Sequence, residues 1–241
     1  MTTLGIIQAR MGSTRLPGKV LRHLGGRTVL DRVVRAARES GVLDDLVVAT
    51  TVEPDDDAVA AECAAIGVDY YRGPVDDVLT RFLGVLETRS AEHVMRFTAD
   101  CPLLDPRLVA RAYRVFEAAG ADYLTTSITR TLPRGLDVEV VRAAVLKEID
   151  KLAYDHHRTH VTSYVYTHPA EFDVIGLTVL PDLSHLRLTL DTEDDWRLIE
   201  AIVGHFGDAP TSVSSIAAWL GNRPELAELN AHIRQKELEQ A

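Results

Sequence analysis

Short apolar runs alternate with longer amphipathic stretches along the first half of the chain. Leu4-Gly-Ile-Ile-Gln8, Leu46-Val-Val-Ala-Thr50, Val68-Asp-Tyr-Tyr71 and His93-Val-Met-Arg-Phe97 have the length and apolar density of buried strands. Between and after them, residues 29–40, 55–66, 76–89 and 106–119 predict helices. In the first of these, Leu30, Val33, Val34 and Ala37 recur at helical spacing. Strand, loop and helix alternating in this way predict right-handed βαβ units. The fold class is therefore α/β, a mostly parallel sheet flanked by helices, with ligands bound at the carboxyl ends of its strands.

Past Gly120 the pattern is less regular. Strands are expected at 122–128, 136–141, 172–179 and 186–190, and helices at 143–152, 156–166 and 192–206, with a helical tail from Val213. No stretch rich in Pro, Gly or Ser marks a boundary. A single domain over 1–241 is expected, with a lobe inserted at about 122–182.

Composition adds exclusions. The chain has 241 residues, 46% apolar and 26% charged, the values of a globular protein and not of a disordered one. No apolar run reaches bilayer length and no secretory pattern opens the chain, so no membrane contact and a cytoplasmic location are expected. Two cysteines, Cys63 and Cys101, are too few for a disulfide scaffold.

The net charge of −10 is unevenly spread: residues 1–40 carry +6 and the remainder −16. An acidic chain of this kind does not suit nucleic acid, whereas a local basic segment suits a small, highly charged anion. A solvated helix face accounts for Arg32, Arg35 and Arg38, but not for the cations before them.

Those earlier cations lie in Gln8-Ala-Arg-Met-Gly-Ser-Thr-Arg-Leu-Pro-Gly-Lys19, directly after the first strand. Glycines admit backbone N–H groups close to an anion, hydroxyls add donors, and Arg and Lys neutralise phosphate. The spacing is not that of a Walker A loop, because Gly12 and Gly18 enclose five residues and Val20 stands where a metal-binding hydroxyl is needed. No G-x-G-x-x-G follows any strand.

Two aspartates also stand at strand ends. Period-2 alternation places Val94, Arg96, Thr98 and Asp100 on one face, with Pro102 ending the strand, and Asp191 follows Leu186-Arg-Leu-Thr-Leu190. Two carboxylates converging on a phosphorylated ligand suit Mg²⁺. Taken singly, Asp100 also serves as a turn former and Asp191 or Thr192 as a helix cap.

The segment from Ile6 to Leu21, Ile-Ile-Gln-Ala-Arg-Met-Gly-Ser-Thr-Arg-Leu-Pro-Gly-Lys-Val-Leu, resembles the signature of the cytidylyltransferases. It is most similar to the branch named for spore coat polysaccharide biosynthesis protein F. The enzymes that make CMP-sialic acid and CMP-Kdo are more distant. Thr98-Ala-Asp-Cys-Pro-Leu103 resembles the family's metal-binding strand end, and Leu188-Thr-Leu-Asp-Thr192 its second metal motif. Gly135-Leu-Asp-Val-Glu139 and His160-Val-Thr162 resemble acceptor-side motifs, and Pro224-Glu-Leu-Ala-Glu-Leu-Asn230 the branch's tail.

The resemblance implies a mononucleotide-binding fold of the nucleotide-diphospho-sugar transferase type, CTP, Mg²⁺ and a homodimer built through the inserted lobe. Ala9, Arg10, Met11, Gly12, Ser13, Thr14 and Arg15 would cradle CTP, with Arg10, Arg15 and Lys19 on its phosphates. Ala49, Thr50, Thr51 and Arg81 would line the nucleotide pocket with Thr98 and Ala99, and Asp100 and Asp191 would hold the metal. Arg10, Arg15, Lys19 and Asp100 would be the catalytic set. Asp137, Glu139 and His160 would face the acceptor, and Arg134 and Arg158 suit an anionic one.

The departures also lie on the acceptor side: Arg134 replaces Asp, Thr159 replaces Glu and Ser163 replaces Pro. The implied reaction moves CMP from CTP to a sugar acid or a phosphonate with release of pyrophosphate. The wider family implies a 2-keto sugar acid, with a phosphonate as the rival. Arg outnumbers Lys by 22 to 4, a bias of high-GC genomes that points to a secondary-metabolite setting without deciding the acceptor. The rivals are a glycosyltransferase using a sugar nucleotide on the same fold and a non-catalytic nucleotide sensor.

Overall fold

The computed structural model describes residues 1–235. Its main sheet has seven strands: β1 (Thr3–Gln8), β2 (Asp45–Thr51), β3 (Asp69–Gly73), β4 (His93–Thr98), β5 (Tyr123–Thr125), β6 (Glu139–Arg142) and β7 (Val174–Gly176). They lie in the order β3-β2-β1-β4-β6-β5-β7. β1 to β4 run parallel, β6 is antiparallel to β4 and β5, and β7 is parallel to β5. The register aligns Gln8 with both Ala49 and Thr98, so β1, β2 and β4 end together along one edge.

Helices cover both faces because the central strands are apolar on both. Ile7, Val48, Met95 and Phe97 join one cluster with α1 (Val29–Glu39), α2 (Asp57–Ala65), α4 (Pro106–Ala119), α8 (Glu193–Phe206) and α9 (Val213–Gly221). Leu4, Ile6, Val47, Ala49 and Val94 point the other way, to α3 (Val78–Thr88), α5 (Ala143–Ile149) and α7 (Ser163–Thr167). The helix ends follow their caps. Thr28 accepts the Asp31 amide, and Asp105 and Pro106 start α4, which Gly120 ends with φ 66°. Thr192 and Asp195 form a reciprocal capping box on α8.

The four parallel strands and their helices match the sequence expectation to within a few residues. The second half differs. Strands expected at 122–128, 136–141 and 172–179 shrink to β5, β6 and β7, and this stretch extends the same sheet. Residues 186–190 form no strand: Leu188 N–H donates to Arg134 O and Leu190 N–H to Asp100 O, so the segment bridges two loops. The helix expected at 156–166 is split into α6 (His156–Thr159) and α7 at Val161, whose φ is 52°. The Thr162 hydroxyl is drawn there to the buried Glu139. Arg32, expected in solvent, is buried, with Nε donating to Leu24 O and Nη2 paired with Asp208. No helix among the described residues is long and apolar enough to cross a membrane.

The crossing of 186–190 over 134 depends on Gly135, at φ 101°, where a Cβ would collide with the backbone of Leu188 and Thr189. Gly135→Ala should lower the free energy of unfolding by about 2–4 kcal/mol, measured by urea titration. The bridge it disturbs leads directly to Asp191.

Candidate active site

A cleft of about 420 Å³ opens at the carboxyl edge of β1 and β4. One rim is the loop after β1, contributing Ala9, Arg10, Gly12, Ser13, Thr14, Arg15 and Lys19; its floor carries Thr98, Ala99, Asp100 and Asp191. The opposite wall is Val78 and Arg81 of α3 with Thr159 and His160 at the end of α6.

Lys19 is buried where these parts meet. Its Nζ donates to Asp100 Oδ2 at 2.9 Å, Asp191 Oδ1 at 2.9 Å and Leu190 O at 2.8 Å. Burial by itself would discharge Lys19, but Asp100 and Asp191 outweigh it and raise the ammonium above its ordinary pKa. Burial likewise opposes ionisation of Asp100, and Lys19 overcomes it, holding the carboxyl below its usual value. The expectation placed Lys19 on phosphate; the structure holds it between the two expected metal ligands instead.

Asp191 is fixed from behind. Its Oδ2 accepts from Arg187 Nη2 at 2.8 Å and pairs with Arg15 Nη2 at 3.2 Å. Arg187 in turn pairs with Asp195 at 2.9 Å, and Asn230 Nδ2 donates to Asp195 Oδ1 at 2.8 Å. Asp195 Oδ2 also accepts the amides of Asp191 and Thr192. Asp195 and Asn230 were absent from the expected site, although the T-x-x-D pattern at the start of α8 signals the first of them.

The start of the loop is clamped by Asp56, which sequence reasoning missed and no local pattern reveals. The Met11 amide donates to Asp56 Oδ1 at 2.6 Å, and the Thr51 hydroxyl donates to Oδ2. Met11, Ala49, Thr50 and Thr51 therefore do not line the cleft; Ala49, Thr50 and Thr51 are fully buried and support it from below. Arg81 does line it. Only 2% exposed, its Nε has no hydrogen-bond partner, and burial together with Arg10 pushes its pKa down to about 10.

Of the residues expected to face the acceptor, His160 alone reaches the cleft. Glu139 is a correction: it is 9% exposed and already bound by Arg96, Tyr123 and Thr162. Arg158 is a second correction, because it donates to Asp77 Oδ2 at 2.6 Å, Thr80 Oγ1 at 3.0 Å and Asp150 Oδ1 at 3.0 Å. It ties α6 to the first turn of α3 and so fixes both sides of that wall. Asp137 pairs with Arg130 at 2.7 Å and does not line the cleft. Arg134 is half-buried beyond the cleft lining, its pKa lowered by burial and by Arg130. Gln8, Val20, Val78 and Thr159 line the cleft and were not among the expected residues. Gln8 and Val20 lie within the recognised Ile6–Leu21 segment and Thr159 beside the His160 motif, so all three were within reach of sequence reasoning. Cys101 is buried and burial raises its pKa, as for a packing residue.

A family model described as cytidylyltransferase matches residues 4–205. Spore coat polysaccharide biosynthesis protein SpsF of Bacillus subtilis is 37% identical over 234 residues, covering 93% of this chain and 96% of that protein. A solved cytidylyltransferase from Leptospira borgpetersenii superposes with a TM-score of 0.91 at 28% identity, covering 98% of this chain and all (100%) of that one. The fold also matches CMP:2-keto-3-deoxy-manno-octonic acid synthetase complexed with CTP, with a TM-score of 0.66 at 17% identity over 85% of this chain and 99% of that one.

The Arg158 tie gives a pH signature. Although burial opposes it, the Thr80 amide and Arg158 hold Asp77 below its ordinary pKa. Its stabilising effect is present above the unfolded value near ~4 and is lost as pH falls through the lower folded value. Arg158→Ala should destabilise the protein by about 1 kcal/mol at pH 6. Urea titrations from pH 7 to 3 should show that gap closing below about pH 4.

Proposed function

Because the chain belongs to the cytidylyltransferase family and is thus a nucleotidyltransferase, we propose that this cleft moves CMP from CTP to an anionic acceptor, releasing pyrophosphate. The observation that carries the reading is one cleft lined by Arg10, Arg15, Lys19 and Arg81 together with Asp100 and Asp191. Release of pyrophosphate from CTP and acceptor would decide against a glycosyltransferase, and turnover against a sensor.

Gly12, Ser13 and Thr14 offer donors to the triphosphate, and Arg10 and Arg15 its counter-charge. The buried Arg81, with its unpartnered Nε, faces the same ligand. Asp100 and Asp191 would hold Mg²⁺. The two carboxylates converge, each 2.9 Å from the Lys19 nitrogen, so the ion would share them with that ammonium. No group of three or more His, Cys, Asp or Glu side chains suited to a metal occurs among the described residues. The two aspartates would therefore leave the remaining positions to phosphate oxygens and water, as Mg²⁺ prefers. When bound, the ion would neutralise charge on the transferring phosphoryl group.

The acceptor oxygen attacks the α-phosphorus in line, the bond from that phosphorus to the bridging oxygen breaks, and pyrophosphate leaves. The protein's part is positioning and charge compensation. A sugar acid fits the reading because the related synthetase is named for one. A phosphonate is the second reading, because its oxygen is already ionised and needs no general base from the protein. Residues 122–182, which bring Thr159 and His160 to the cleft, form the acceptor side and the homodimer contact.

Pyrophosphate release from CTP should depend on 3-deoxy-manno-octulosonate or on an alkylphosphonate, and the preferred acceptor separates the two. Asp100→Asn should cut kcat by about 100-fold at saturating Mg²⁺. Full turnover by that variant would remove Asp100 from the metal site.

A further inference from the structure

Beneath the cleft lies a buried polar network that the transfer reaction does not use. Arg96 on β4 pairs through Nη1 with Glu139 on β6. Glu139 Oε2 accepts from Tyr123 at 3.0 Å and from the Thr162 hydroxyl. The other N–H groups of Arg96 converge on one atom: Nε at 3.1 Å and Nη2 at 2.9 Å both donate to Gln8 Oε1. Burial alone would favour a neutral Arg96, and Glu139 outweighs it, so the guanidinium stays charged.

Arginine only donates, so the atom it holds must be the amide oxygen of Gln8, whatever the density of neighbouring groups. The orientation of that amide is thereby fixed. Its NH₂ is left with no hydrogen bond among the described residues, and Gln8 lines the cleft. It stands at the end of β1 in register with Thr98, two residues before Asp100. Free donors at fixed positions in a substrate cleft mark where an oxygen is to be recognised.

We propose that Gln8 is a fixed hydrogen-bond donor to a substrate oxygen, and that Arg96 and Glu139 are the positioning residues that aim it. The inference rests on the transfer reaction above for its substrates. The oxygen belongs either to the nucleotide or to the acceptor, and the two sources are separable. The network also gives Glu139 and Thr162, in the two acceptor-like motifs, an indirect role: they reach the cleft through Arg96 and Gln8.

Three substitutions test it. Gln8→Met removes every polar atom at similar length, Gln8→Glu keeps an oxygen for Arg96 but cannot donate, and Arg96→Lys keeps the charge beside Glu139 but loses the fork that grips the amide. Two constants are read for each: the dissociation constant for CTP with Mg²⁺ by calorimetry, and the KM of whichever of 3-deoxy-manno-octulosonate or an alkylphosphonate the wild type turns over. Both Gln8 variants should weaken one of these constants about tenfold or more, with a smaller change in kcat. A change in the CTP constant assigns the oxygen to the nucleotide, and a change in KM alone assigns it to the acceptor. Arg96→Lys should move the same constant by a smaller factor at a melting temperature close to wild type. Unchanged constants in both Gln8 variants would overturn the inference, as would a lower melting temperature with both constants intact. A wild-type protein that binds no CTP would instead refute the transfer reaction, and the inference with it.

Discussion

The ammonium group of Lys19 joins three parts of the chain that are far apart in sequence: the loop after β1, the turn after β4 and the segment before α8. Three buried or half-buried charges in one place would be strongly unfavourable if any stood alone. Together they are tolerable, because each carboxylate finds the same cation at 2.9 Å and the cation's third proton finds Leu190 O. The Lys19 nitrogen thus holds the loop against both aspartates, and Arg15 adds a second tie to Asp191. Arg187, Asp195 and Asn230 extend the arrangement outward, so that Asp191 is held from both sides.

The opposite wall obeys the same logic with different residues. Arg158 fastens α6 to the start of α3, and Arg96 fastens β4 to β6 while gripping Gln8. In both cases an arginine spends its donors on the protein, and for Arg158 these are donors that sequence reasoning offered to the acceptor. What reaches the cleft from beside these arginines is one layer removed: Val78, Arg81, Thr159, His160 and Gln8.

This explains how far the sequence was legible. The parallel half could be read because β1, β2 and β4 are apolar on both faces and the helices carry strong local caps, such as Thr28 and Asp105-Pro106. That the loop after β1 and the two aspartates share one cleft was legible from their residue types, which point to one chemistry, although the strand expected before Asp191 does not form. The second half was not, because its short strands owe their limits to distant backbone, as where Gly135 meets Leu188 and Thr189. Glu139 and Arg158 were misassigned for a related reason. Their partners Arg96 and Asp77 lie 43 and 81 positions away, and nothing local shows that a charge is already neutralised. Asp56 belongs with them, 45 residues from the amide it holds.

That Asp56 contact bears on how the loop would meet the triphosphate proposed for it. With Met11 tied to Asp56 at one end and Lys19 to the aspartates at the other, the intervening residues span two fixed points. Inside the span, the Met11 carbonyl accepts from the Ser13 amide at 2.8 Å and the Gly18 amide at 3.2 Å. Most of the entropy of ordering such a loop is thus surrendered when the chain folds, and little remains to be lost when a ligand arrives. The loop behaves as a cast mould rather than a closing hand, and a mould discriminates by shape: an anion whose oxygens do not match its spacing finds charge nearby but few donors in line.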